Sequence, residues 1–146
     1  IYVFILLLLL GSCRKNKDST EFMVNSSYHY QVEYMGDKIK IRDIIYPGLS
    51  FSTIWQKHNG KYYSSYGFLM MSIEKDTSYV FPISKMILPV KKKVIIRKIS
   101  ENLYSNEMYE EFTPHYWELV YAVFYDKSYR IIKFQSMLTC DFVPKR

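Results

Sequence analysis

Cysteine, glycine and proline are all scarce in this chain, and each scarcity removes a class of fold. With only 2 cysteines, Cys13 and Cys140, in 146 residues, a disulfide scaffold is excluded. Just 5 glycines and 5 prolines leave no room for a collagen-like or low-complexity chain. Signatures of chemistry are equally sparse. No G-x-G-x-x-G or G-x-x-x-x-G-K-[ST] loop is present to cradle a nucleotide, and no G-x-S-x-G elbow to present a nucleophilic serine. His29, His58 and His115 stand far apart, with no H-x-H, no H-E-x-x-H and no His/Cys cluster at ligand spacing. Neither a metal site, a cofactor nor a catalytic residue is therefore expected, and an enzyme has no positive support.

What the chain has in excess is aromatic side chains: 15 Tyr, 9 Phe and 2 Trp. At 49% hydrophobic and 23% charged the composition is that of a globular domain, and flat amphipathic rings favour pleated surfaces over helical bundles. The expectation is a mainly β protein, an antiparallel β-sandwich or small barrel of about eight strands with one short helix.

The apolar run Ile1 to Leu10 would rise about 15 Å as a helix, half of the roughly 30 Å hydrocarbon core of a bilayer. That length suits the hydrophobic region of a signal peptide. It ends in Leu10-Gly11-Ser12-Cys13 and is followed by the basic and polar Arg14-Lys15-Asn16-Lys17-Asp18. Small residues leading into a cysteine at this place resemble the lipobox of bacterial lipoproteins. The resemblance implies a signal peptide over residues 1–12, its own start lying upstream, and cleavage just before Cys13. It implies a diacylglycerol on the Cys13 thiol and a membrane held through that lipid as a partner. Arg14 rather than Asp after Cys13 implies the outer membrane of a two-membrane cell envelope. Residues 13–27, polar and short of apolar side chains, read as a lipidated flexible tether, with a single β domain over 28–146.

Within that domain, alternation and turn chemistry predict hairpins. A Gly36-Asp37 loop would pair Tyr34 with Ile39, Glu33 with Lys40 and Val32 with Ile41. Asn59-Gly60, a strong hairpin signal, would set Trp55 opposite Ser64, Thr53 opposite Tyr66 and Phe51 opposite Phe68. A further turn at Lys75-Asp76 would set Met70 against Phe81 and Ser72 against Tyr79. Leu103, Tyr104, Met108 and Phe112 recur near helical spacing, with Thr113-Pro114 as a stop, and predict the helix. A Lys127-Ser128 loop would close a last hairpin, aligning Trp117, Leu119, Tyr121 and Val123 with Leu138, Ser136, Phe134 and Ile132.

Two features carry functional expectations. Lys91, Lys92 and Lys93, with Arg97 and Lys98, concentrate part of the net +6 charge beside apolar residues. In an envelope protein such a patch suits anionic head groups or an acidic glycan; nucleic acid is not expected there. The competing reading is an edge strand guarded by charge. Tyr62, Tyr63 and Tyr125, with Tyr116, are candidates for an aromatic surface that binds an envelope protein or glycan. Two functions remain open: a tethered binding or interaction module, or a small-ligand-carrying barrel or hydrolase with an interior pocket. An apolar cavity with a few convergent polar groups would favour the second; an interior filled by Trp55, Phe68, Trp117 and Phe134 would favour a solid sandwich.

Overall fold

A computed structural model describes residues 18–25, 28–46, 48–83, 90–136 and 141–144. The stretch read as a signal peptide, Cys13 and Cys140 lie outside the described residues. The strands are β1 (Asp18–Asn25), β2 (Tyr28–Met35), β3 (Lys38–Tyr46), β4 (Leu49–His58), β5 (Lys61–Ser64) and β6 (Leu69–Met71). They continue with β7 (Thr77–Ile83), β8 (Val90–Ser100), β9 (Leu103–Thr113), β10 (Tyr116–Tyr125), β11 (Ile131–Ser136) and β12 (Asp141–Pro144). The architecture is all-β and antiparallel, with 12 strands rather than about eight.

The strands β1 to β6 form one meander and β7 to β11 a second. β12 pairs with β1 on one side and β11 on the other, joining the meanders in the order β6-β5-β4-β3-β2-β1-β12-β11-β10-β9-β8-β7. The ends of that order, β6 and β7, share no ladder, so the sheets are not closed into a barrel. The register shifts at Val120 in β10, extra between Leu119 and Tyr121, and at Ile132 in β11, extra opposite Phe124 and Tyr125, and an extra residue of this kind increases local twist. The sheets face one another, and Phe22, Tyr30, Val32, Ile39, Trp55, Val123 and Phe134 meet in one buried cluster.

The first hairpin has the expected register, with Val32 opposite Ile41, Glu33 opposite Lys40 and Tyr34 opposite Ile39. Asn59 and Gly60 take φ of 48° and 76°, the left-handed pair that a two-residue hairpin turn requires, and Trp55 faces Ser64. Beyond Ser64 the structure departs from expectation. The chain reverses over residues 64–68, where Ser64 N–H donates to the Phe68 carbonyl at 2.8 Å, so Thr53/Tyr66 and Phe51/Phe68 are not ladder pairs. β6 folds back on β5 instead of pairing with β7, which removes the Met70/Phe81 and Ser72/Tyr79 pairs.

Three further expectations are corrected. The stretch read as a helix is strand β9, which pairs along both edges: β8 sets Lys92 opposite Glu110, and β10 sets Leu119 opposite Tyr109. Ladder partners on both sides override a local periodicity that a short segment cannot enforce alone. The last hairpin turns over a longer loop. The Asp126 carboxylate accepts from Ser128 N–H and Arg130 N–H, Tyr129 adopts φ 63°, and the ladder sets Tyr121 opposite Ser136 and Val123 opposite Phe134. Finally β1 occupies part of the stretch read as tether. Its polar sequence buries Phe22 completely, while Asp18 forms an ion pair with Arg130.

The open seam is bridged by side chains. Tyr79 Oη–H donates to the Leu69 carbonyl at 2.7 Å and Asn106 Nδ2–H to the Met70 carbonyl at 2.6 Å. Tyr125 Oη–H donates to the Ser72 carbonyl at 2.8 Å while accepting from Ser72 N–H at 3.0 Å. Backbone groups buried without a ladder are thus paired. Tyr125→Phe keeps the ring and removes only the hydroxyl, stranding both Ser72 groups. Denaturant unfolding should show a loss of about 1–3 kcal/mol, whereas Tyr66→Phe, on a ring 77% exposed, should stay within about 0.5 kcal/mol.

Candidate functional site

Alternation along each strand decides which side chains point between the sheets. Toward the end that carries the turns at 36–37, 59–60, 101–102 and 126–130, the interior is solid and made largely of tyrosine. Tyr104 stacks on Tyr125 at 5.7 Å between ring centroids, Tyr125 on Tyr129 at 6.0 Å, and Tyr62 meets Tyr129 edge-on at 5.2 Å. Their hydroxyls are tied as well: Tyr129 Oη–H donates to the Gly60 carbonyl at 2.5 Å, and Tyr34 Oη accepts from Ile131 N–H at 2.7 Å.

Toward the opposite end the sheets stand apart around a cavity of about 870 Å³. This lies in the upper part of the roughly 300–1,000 Å³ range of small-molecule sites. Its depth is walled by Ile41, Trp55, Met70, Val94 and Met108. Near the opening stand Phe51, 59% exposed, and Tyr66, 77% exposed. Phe68 stacks on Phe81 at 4.1 Å and lies 6.3 Å from Tyr79, so rings cover the unpaired β6/β7 edge. Lys92 also lines the wall, but its ammonium is held at 2.7 Å by Glu110 from the neighbouring strand. The expected filling of the interior is thus only partly realised: Trp55 and Phe134 are buried, yet space remains between the sheets, and Trp117 belongs to an outer face.

Polar groups converge on one side of this apolar space. Tyr28 Oη and Tyr30 Oη lie 3.2 Å apart, and Asp43, Tyr121 and Ser136 share the same wall. Asp43 stands directly opposite Tyr30 on β2 and Phe51 on β4. Asp43 Oδ1 and Ser136 Oγ are both buried without a hydrogen-bond partner. Burial raises the Asp43 carboxyl above its ordinary pKa. The phenols of Tyr30 and Tyr121 are likewise raised, first by burial and then by neighbouring charges that include Asp43. Burial also lifts Tyr79, to about 12.

The residues singled out from sequence are scattered by the fold. Tyr62, at 5% exposure, and Tyr125, at 0%, belong to the tyrosine base and not to an outer surface: alternation puts Tyr62 on the face of Ser64, whose ladder partner is the buried Trp55, and Tyr125 on the face of the buried Val123. Tyr63 is half-buried. The lysine run is not on an edge strand, since β8 lies between β7 and β9. Glutamates of β9 match it: Lys91 to Glu111 at 3.5 Å, Lys92 to Glu110 at 2.7 Å and Arg97 to Glu107 at 2.8 Å. Lys93 lies over the rings of Trp117 at 4.7 Å and Tyr109 at 5.2 Å. His58 is exposed, and His115 caps a turn with its N–H on Glu111 Oε1 at 3.0 Å. Among the described residues no three His, Cys, Asp or Glu side chains gather closely enough to hold a metal ion. Sequence reading passed over Asp43, although the register that pairs Val32 with Ile41 puts Tyr30 opposite Asp43 on the same apolar face. A carboxylate in such a row is the signal that could have found it.

Asp43→Asn should therefore change stability in a pH-dependent way. A raised carboxyl pKa means that the folded state binds the proton more tightly than the unfolded state. Asp43 then costs stability as pH rises from the unfolded pKa of about 3.9 through the folded value. The variant's stability relative to wild type should rise across that interval and level off above it, read by urea unfolding at a series of pH values; a flat difference would contradict a desolvated carboxylate. No family model, curated protein or solved structure matches this chain.

Proposed function

We propose that this protein binds a small, largely apolar ligand between its two sheets. The observation that carries the reading is the cavity of about 870 Å³, apolar over most of its wall with a small number of polar groups, above a tyrosine base. Such a distribution suits a binding pocket, because the apolar wall supplies affinity while a few polar groups fix orientation. Removing apolar surface from water contributes roughly 25 cal/mol per Å² before the costs of ordering the ligand. The surface-recognition alternative has lost two of its candidate rings, Tyr62 and Tyr125, to the interior. Lys91 and Lys92, paired with glutamates, and Lys93, held over aromatic rings, likewise weaken a head-group or glycan patch.

The same proposal extends to where the domain acts. The lipobox-like sequence ending at Cys13 supports a lipid anchor in the bacterial envelope, which would hold the binding domain close to a membrane, where apolar molecules concentrate. Fatty-acid labelling in the native host should mark the wild-type chain and leave Cys13→Ser unmarked.

The cavity is tested with N-phenyl-1-naphthylamine, a neutral dye that brightens in apolar surroundings. Saturable binding near one dye per chain is expected. Thr53→Trp, which adds an indole to the cavity wall at an exposed position on the face of Phe51 and Trp55, should weaken that binding at least about tenfold, a change of about 1.4 kcal/mol. Equal dye binding by wild type and Thr53→Trp, both shown folded by circular dichroism, would place the dye elsewhere.

A further inference from the structure

The cavity's polar corner narrows the chemistry of what it holds. Asp43 Oδ1 is buried on the wall with no hydrogen-bond partner. Among the described residues the cations on hand are engaged elsewhere: Lys92 is paired with Glu110, and Arg42, one residue along β3 and so on the opposite face, donates to Gln31 Oε1 at 3.3 Å. A carboxylate oxygen left in this condition costs stability, and a ligand cation would relieve it.

Aromatic rings surround the same corner. Tyr30 and Phe51 flank Asp43 on the adjacent strands. The Tyr28 and Tyr30 rings lie 5.8 Å apart, and Tyr30 and Tyr121 6.3 Å apart. Ring faces attract a cation and repel an anion, so aromatic neighbours suit an ammonium better than a second carboxylate.

Resting on the binding function proposed above, we propose that the ligand is an amphipathic amine, its ammonium hydrogen-bonded to Asp43 within this ring of aromatics and its apolar body lying along Trp55, Met70 and Met108. A fatty acid is disfavoured, because its carboxylate would meet Asp43 while Lys92 is already neutralised. A neutral alcohol could donate one hydrogen bond but would leave the buried charge uncompensated. Ser136 Oγ, also without a partner, lines the same cavity.

Decylamine, 1-decanol and decanoate, each below its micelle concentration at pH 7, compete against N-phenyl-1-naphthylamine on the full chain. Decylamine should displace the dye at least about tenfold more tightly than 1-decanol, because its hydrogen bond to the carboxylate is charge-assisted, and decanoate should be the weakest. In Asp43→Asn decylamine should fall to the level of 1-decanol. Equal displacement by decylamine and 1-decanol in the wild-type chain would overturn the amine assignment while leaving the cavity reading intact, and this comparison stands whether or not the variant folds. Retention of the preference in a folded Asp43→Asn would also overturn it. Failure of the dye to bind at all would remove the cavity reading and the amine with it.

Discussion

The short edge strand β6 must be held against the second meander without a backbone ladder, and the rest of the structure depends on how that is done. An antiparallel sheet ends in a row of unpaired N–H and C=O groups, which is costly when buried and an invitation to aggregation when exposed. Here Tyr79, Asn106 and Tyr125, projecting from β7, β9 and β10, supply the missing partners for Leu69, Met70 and Ser72. Tyr79 reaches β6 from the facing edge, while Asn106 and Tyr125 reach the same stretch from interior strands of the second meander.

Tyrosine is suited to both tasks the interior sets. In the base, its ring fills volume while its hydroxyl reaches a carbonyl or amide at the periphery, as in Tyr129 to Gly60 and Tyr34 to Ile131. In the cavity, the rings of Tyr28, Tyr30 and Tyr121 provide apolar wall and the hydroxyls a polar corner. The abundance of this residue therefore follows from a fold that is packed at one end and hollow at the other. The basic run has a structural use too. Lysines of β8 and glutamates of β9 meet side by side in a ladder, and such cross-strand pairs help to fix the register.

Local pattern made part of this legible. The hairpin around Gly36-Asp37 and the turn at Asn59-Gly60 follow from alternation and turn chemistry, which act over a few residues. What sequence concealed was decided at longer range. The glutamates of β9 look like the solvated face of a helix until β8 brings lysines opposite them. The faces of Trp117 and Tyr121, which simple alternation would make the same, are made opposite by Val120, the extra residue between Leu119 and Tyr121 in β10. The turn at Ser64 and Gly67 was hidden inside an apparently continuous alternation. Of the candidate site, the polar corner could have been found from the Tyr30 and Asp43 pair, but the cavity could not. It lies beside two strands, β6 and β7, that are near in sequence and do not pair.

Hydrogen exchange at a single amide tests the seam most directly. The partner of Ser72 N–H is the hydroxyl of Tyr125, which reaches it from the opposite sheet at 3.0 Å. If that bond holds the edge in place, the Ser72 amide exchanges as slowly as the ladder amides of β3 and β4, through opening of the whole domain. Exchange as fast as that of an exposed turn, with β3 and β4 still protected, would contradict a seam made of side chains.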